Sequence, residues 1–344
     1  MNIFFTSTYI SGNKRNWRTP SRMYAEKNDS AVLAVDLRGH GHTALNDSFR
    51  NHTHFNSVDV CSQDIYNLFT HLYDSSIVTE DTEISLVAHS FGGKVALKYV
   101  EYILSKQSSG IYIPKHVWIV DSIPGAHNES LSARGNLREA NIPPVHSNPV
   151  NVVNTLERVI MALHQCPEIF PDRNWIVKEL TEKYHININI ALWLATSLTE
   201  IPADGDKAQG KGKQSRFMFN IEQITQLYLN YCQLDMFPFL DRYTDTVRGI
   251  IDTSTKSNPK YSNIHILQAG KNKSWENSMM HGEDTSTKNS TYISRLSDLI
   301  SSSSSTHPSI SSSLVHHHRM DHVDHWVHSE DSKGFVELVS KHSI

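Results

Sequence analysis

Ser90 stands between Ala88-His89 and Phe91-Gly92, and this small-x-Ser-x-Gly spacing carries a serine at the apex of a strand-to-helix turn. The hydroxyl then projects from the turn, where it can act as a nucleophile. Ala88 replaces the commoner glycine but is still small, while Gly92 and Gly93 let the helix backbone pass close to the strand. A serine that merely caps the helix would fit the same turn.

A serine nucleophile needs a base within hydrogen-bond reach and a third group that orients the base. In strand-turn-helix serine enzymes the chain order is Ser, acid, His, so the base is expected late. The tract His316 to His328 offers several candidates. His325 is preferred because the closing helix follows its segment shortly, as a loop-borne base requires; His322 stands second. For the acid, Asp121 at the end of the strand after the elbow and Glu276 in the next strand's loop both stay open. Asp121 is favoured because catalytic groups gather at strand C-termini, and a hydrogen bond to the base is the deciding criterion. A helix N-cap is the ordinary alternative for it.

The surrounding pattern supplies the elements that must position these groups. Ile84 to Ala88 is a short apolar run, followed by Val95, Ala96, Tyr99, Val100, Ile103 and Leu104 at helical spacing. Met1 to Phe5, Ala31 to Val35, His116 to Asp121 and Ile264 to Gly270 read as further strands. Trp17 to Lys27 and the Val58, Cys61, Ile65, Leu68, Phe69, Leu72 stripe read as helices between them. Alternating strands and helices imply an α/β fold with a parallel sheet covered on both faces. From Val150 to Tyr231 the pattern turns helical, with Val152, Val153, Leu156, Val159, Ile160 and Leu163 on one stripe. The expected division is a core of 1–127 and 253–344 with a helical cap at 128–252. Residues 203–214 are expected to form a solvated mobile loop, and 301–313, with nine serines in thirteen residues, a disordered insertion.

Composition narrows the class. The 344 residues allow one large domain or two small ones, and a formal charge of -4 offers no basic field for nucleic acid. Cys61, Cys166 and Cys232 are odd in number and far apart, which supports neither a disulfide framework nor a Cys-x-x-Cys metal site. His316, His318, His322 and Asp321 have metal-binding composition, but no second well-spaced cluster accompanies them, so no metal or cofactor is expected. His40 and His42 precede the serine, out of order, and a structural loop role is expected for both. No apolar run reaches the roughly 20 residues of a membrane span, and no signal peptide is visible. An intracellular location, cytoplasmic or organellar (mitochondrion or plastid), is the expectation.

Asn16-Trp17, Val35 to Gly41, the elbow through Lys94, Val120-Asp121, Arg216 to Asn220 and His325 to His328 together make the chain similar to the α/β-hydrolase superfamily. Within it they resemble the YbfF-like esterases and the eukaryotic alpha/beta-hydrolase domain-containing protein 11. The resemblance implies hydrolysis of carboxylic esters, thioesters or acylglycerols without a cofactor. It also implies that Asp121 is the acid, with Ser274 as a supporting residue where other members place the acid. Oxyanion donors would be the backbone N–H groups of Phe91 and of Tyr9 or Ile10. Thr8 and Tyr9 replace the His-Gly pair the family carries there, and the chain starts at this strand without the preceding strand pair. A truncated gene model or a degenerate paralogue would explain both. The leading expectation is a serine hydrolase with Ser90, His325 and Asp121; the alternative is a weak or inactive binding protein of the same fold. Apolar cap residues such as Trp193, Phe217 and Phe219 either line its pocket or pack the core.

Overall fold

A computed structural model describes residues 2–7, 12–45, 57–106, 113–127, 136–139, 155–202, 213–253, 261–277, 291–303 and 314–343. Six parallel strands form the central sheet: β1 (Asn2–Ser7), β2 (Ala31–Ala34), β3 (Glu83–His89), β4 (His116–Val120), β7 (Asn263–Ala269) and β8 (Val315–Met320), in the order β2-β1-β3-β4-β7-β8. Among the described residues no antiparallel strand joins this sheet.

Strand periodicity of two explains how the sheet is covered. Ile84, Leu86 and Ala88 of β3, Val117 and Ile119 of β4, and Ile264 and Ile266 of β7 enter one core. The alternate residues Val87, Trp118, Val120, Leu267 and Ala269 enter a second core with Trp17, Tyr24, Phe335 and Val339. Helices α1 (Arg18–Asn28) and α12 (Ser332–Ser343) therefore cover one face. Helices α3 (Val58–Asp74) and α4 (Phe91–Lys106) cover the other, after the short α2 (Gly41–Leu45). Being buried on both sides, β3 and β4 read as continuous apolar runs rather than alternating ones.

Between β4 and β7 lie α5 (Thr155–Gln165), α6 (Arg173–Lys178), α7 (Ile188–Leu194), α8 (Ile221–Gln233) and α9 (Phe237–Thr253). The expectation of a purely helical stretch here needs correction. β5 (Leu198–Pro202) and β6 (Lys213–Phe217) form an antiparallel pair, with Leu198 opposite Phe217 and Pro202 opposite Lys213. Their short, half-polar sequences carry too little alternation to signal a strand. Of the loop expected at 203–214, Lys213 and Gln214 belong to β6, and 203–212 lie outside the described residues. Val152 and Val153 also lie outside them, whereas Val159, Ile160 and Leu163 are buried as their stripe requires. Ser301–Ser303 complete α10 (Tyr292–Ser303), and 304–313 lie outside the described residues. Short helix α11 (Val327–Glu330) links β8 to α12. Among the described residues no helix is long and apolar enough to cross a membrane.

Candidate active site

The chain order within the sheet reverses between β1 and β3, and open α/β sheets bind ligands beyond the strand C-termini at such a switch point. β3 delivers Ser90 there. The serine has a φ of 54°, in the left-handed region, and its N–H donates to Val120 O at 2.9 Å while its carbonyl accepts from Gly93 N at 2.8 Å. These bonds hold an unfavourable backbone conformation in place. Gly93 is required at this turn because a Cβ would lie 2.4 Å from Ser122 Cβ. Phe91 opens α4, so its N–H has no intrahelical acceptor and the helix dipole places positive potential there.

Asp121 follows β4, also with positive φ, at 42°. It is 3% exposed and accepts from Ala269 N at 3.0 Å, Trp275 Nε1 at 2.7 Å and Asn272 Nδ2 at 2.7 Å. Buried carboxylates need such donors, since an unpaired one is strongly penalised. The remaining partner is His325, whose Nδ1 lies 2.6 Å from Asp121 Oδ2. His325 Nε2 in turn lies 3.1 Å from Ser90 Oγ. With Nδ1–H donating to the carboxylate, Nε2 is the ring nitrogen with a free lone pair facing the Ser90 hydroxyl.

His325 is held from two sides. Its backbone N–H donates to Asp324 Oδ1 at 2.8 Å, and its carbonyl accepts from His89 Nε2 at 2.7 Å. Burial, together with His325 and His328 nearby, pushes His89 well below the usual histidine range, so it stays neutral with its proton on Nε2. Burial also lowers His328 to about 3, and its ring stacks on Trp17 with centroids 4.2 Å apart.

The other candidates are placed elsewhere. His322 faces Asp331, with Nε2 2.8 Å from Oδ2, so it does not serve the serine. Glu276 is exposed and pairs with Lys273 at 3.0 Å. Ser274 donates its backbone N–H to Asn272 Oδ1, and the contacts to Asp121 come from Asn272 and Trp275 instead. Those two were not singled out by sequence reasoning. No spacing rule links them to a residue 151 and 154 positions away, although a search for the donors a buried aspartate needs would have led to them. Tyr9 and Ile10 lie outside the described residues.

His40 is buried in the loop after β2, with Nδ1 2.8 Å from Arg38 O, and burial lowers it to about 4. His42 is exposed. His316 and His318 share one side of β8 with ring centroids 6.5 Å apart, whereas His322 pairs with Asp331 and Asp321 with Arg319. Among the described residues no three His, Cys, Asp or Glu side chains converge as metal ligands would. Trp193 packs near Trp326, the neighbour of His325, with centroids 6.0 Å apart. Phe217 and Phe219 stack at 4.6 Å and line a cavity of about 420 Å³ with Arg138, His164 and Glu222; Ser90, Asp121 and His325 do not line it.

A parallel sheet that carries a serine on a strained turn at its switch point, beside an aspartate and a histidine from later strand ends, defines an α/β-hydrolase. Residues 10–338 match the model of the Alpha/beta hydrolase family, and the chain belongs to that family. Among solved structures it is similar to the peroxisomal alpha-beta-hydrolase Lpx1 from Saccharomyces cerevisiae, at 13% identity and TM-score 0.52, covering 99% of this chain and 74% of that one. It is also similar to MenH from S. aureus (14%, TM-score 0.48, 99% and 92%). A third is RedJ-thioesterase from the prodiginine biosynthetic pathway in Streptomyces coelicolor (10%, TM-score 0.43, 99% and 84%). At these identities the likeness concerns the fold alone. No curated protein matches the chain.

Proposed function

We propose that this protein is a serine hydrolase of carboxylic acyl esters, with thioesters and acylglycerols in the same chemical class. Ser90 Oγ attacks the acyl carbon while its proton passes to His325 Nε2. Asp121 holds the imidazole in the Nδ1–H tautomer and stabilises the imidazolium. Phe91 N–H donates to the developing oxyanion, and Tyr9 or Ile10 supplies the second N–H. The leaving alcohol or thiol takes the proton from Nε2, giving the acyl-enzyme. Water then attacks the acyl carbon, His325 takes its proton, and Ser90 departs with that proton as the carboxylic acid is released. No step requires a cofactor.

The observation that carries this reading is the unbroken pair of contacts, 3.1 Å from Ser90 to His325 and 2.6 Å from His325 to Asp121. Residues 128–252 form the cap in this proposal, and its apolar side chains select the acyl group. The motif likeness to YbfF-like esterases and alpha/beta-hydrolase domain-containing protein 11 belongs to the same reading. A second reading, a non-catalytic binding protein, draws on Thr8 and Tyr9 standing where the family carries His-Gly. A fluorophosphonate probe separates the two. Covalent labelling that is lost in Ser90→Ala and reduced in His325→Ala supports the hydrolase, whereas folded wild-type protein that does not label refutes it.

A further inference from the structure

Lys94 lies one turn along α4 from Ser90 and has no exposed surface. Its Nζ donates to three backbone carbonyls: Gly125 at 2.8 Å, Tyr231 at 2.7 Å and Leu234 at 2.7 Å. An ammonium has three N–H donors and no acceptor, so this set uses its whole capacity. Burial pushes the group down to about 7, while Cys232 and Asp235 act in the opposite sense. The three carbonyl dipoles also favour the charged form, because a neutral amine would turn a lone pair toward one of them.

The three acceptors belong to two other elements of the site. Tyr231 lies in the last turn of α8 and Leu234 caps that helix, where the helix dipole is negative. Gly125 stands four residues beyond Asp121 in the loop that leaves β4. Lys94 Nζ also sits 4.2 Å from the centroid of the Tyr231 ring, and that ring packs against Phe91 with centroids 6.0 Å apart. An apolar side chain could fill this volume but would leave the carbonyls at this joint without their ammonium donors. Unmet buried acceptors are penalised, so the lysine answers a need set by three converging elements.

We propose that Lys94 is a positioning residue of the hydrolase site: by gripping the end of α8 and Gly125 together, it sets Tyr231 against Phe91 and thereby fixes the Phe91 N–H relative to Asp121 and His325. This rests on the reading of Ser90 as the nucleophile. Lys94→Met keeps much of the volume and removes every donor. Lys94→Ala leaves room for an added amine.

Two measurements separate positioning from mere structural support. Amide hydrogen exchange over residues 231–236 and 125–127 reports the joint without reference to chemistry, and should accelerate about tenfold or more in Lys94→Met. Fluorophosphonate labelling and kcat on a p-nitrophenyl ester, measured well below the melting transition, should fall about tenfold to 100-fold with KM changed less than about threefold, because misplacement by about 1 Å can cost about 100-fold. In Lys94→Ala, propylammonium should restore part of the labelling rate, and tetramethylammonium, which has no N–H donor, should not. Folded Lys94→Met that labels at the wild-type rate overturns the proposal even if exchange rises. If Lys94→Met does not fold, the amine experiment decides, and equal effects of the two ammonium ions overturn the proposal. Wild-type protein that fails to label removes the Ser90 reading, and this proposal with it, an outcome distinct from one confined to the Lys94 variants.

Discussion

Gly93→Ala tests whether the contact between α4 and β4 sets the geometry of the site. An added Cβ would lie 2.4 Å from Ser122 Cβ, 2.5 Å from Ser122 Oγ and 2.9 Å from Ile119 Cγ2. Ordinary carbon contacts need about 3.5–4.0 Å. Rotating Ser122 moves its Oγ but not its Cβ, so α4 must retreat by roughly 1 Å. Two effects compete. Alanine is favoured over glycine inside a helix by about 0.5–1 kcal/mol, whereas overpacking costs about 1–3 kcal/mol. A backbone-anchored clash at 2.4 Å decides for the second, so stability to urea should fall by about 1–2 kcal/mol.

The activity loss should be larger than that stability loss alone would give. Ser90 immediately precedes α4 and Ser122 immediately follows Asp121, so a retreat of α4 stretches the Ser90–His325–Asp121 chain. The fluorophosphonate labelling rate of the folded variant should fall by about 100-fold. Adding Ser122→Gly removes two of the three close contacts, leaving Ile119 at 2.9 Å, and should restore most of both quantities. Folded Gly93→Ala with wild-type stability and labelling rate would refute the reasoning.

The identity of the acid is tested by a pair of substitutions. Asp121→Asn should lower kcat by about 10,000-fold through loss of the correct histidine tautomer, while Glu276→Gln, on an exposed residue paired with Lys273, should leave kcat within about twofold; equal effects would sink the assignment. Acid should destabilise the fold through the histidines gathered around His265, which with His318 stacks on Trp118. His116, His265 and His318 form a chain with N-to-N distances of 3.0 and 3.1 Å, and His316, His342, Lys341 and Lys115 also face it, with Glu83 the carboxylate near His116. Burial lowers His116 and His318 to about 4 and His265 to about 2, so the unfolded chain takes up protons first as pH falls below the usual 6.5. Their contribution is complete above pH 6.5 and is lost downward through the folded values. His116 alone should remove about 2 kcal/mol between pH 7.5 and 5, so a urea midpoint flat over that interval would contradict the prediction.

The local parts of the site were legible because local chemistry encodes them. Ala88, Ser90 and Gly92 mark a turn whose backbone permits few other residues, and the apolar runs around it have strand and helix periods. The order of nucleophile, acid and base places the base late, at His325, and leaves Asp121 and Glu276 as acids, of which the strand-end position favours Asp121. Where the sequence misled, the missing information was nonlocal. The loop at 271–276 holds the alternative acid Glu276, yet its contribution is two donors, Asn272 and Trp275, to Asp121 at the end of another strand. β5 and β6 become strands by pairing with each other rather than by internal pattern.

By itself the sequence determined the serine turn, the alternating α/β plan and the short set of residues from which an acid and a base could come. Only the tertiary structure decided which of them meet, since His325 reaches Ser90 and Asp121 across 235 and 204 positions of chain. It also decided that Lys94, which the sequence places only at the end of the elbow motif, is a buried junction of three elements. Periodicity reports which face of an element is buried, whereas hydrogen-bond partners depend on how separate elements are registered against one another.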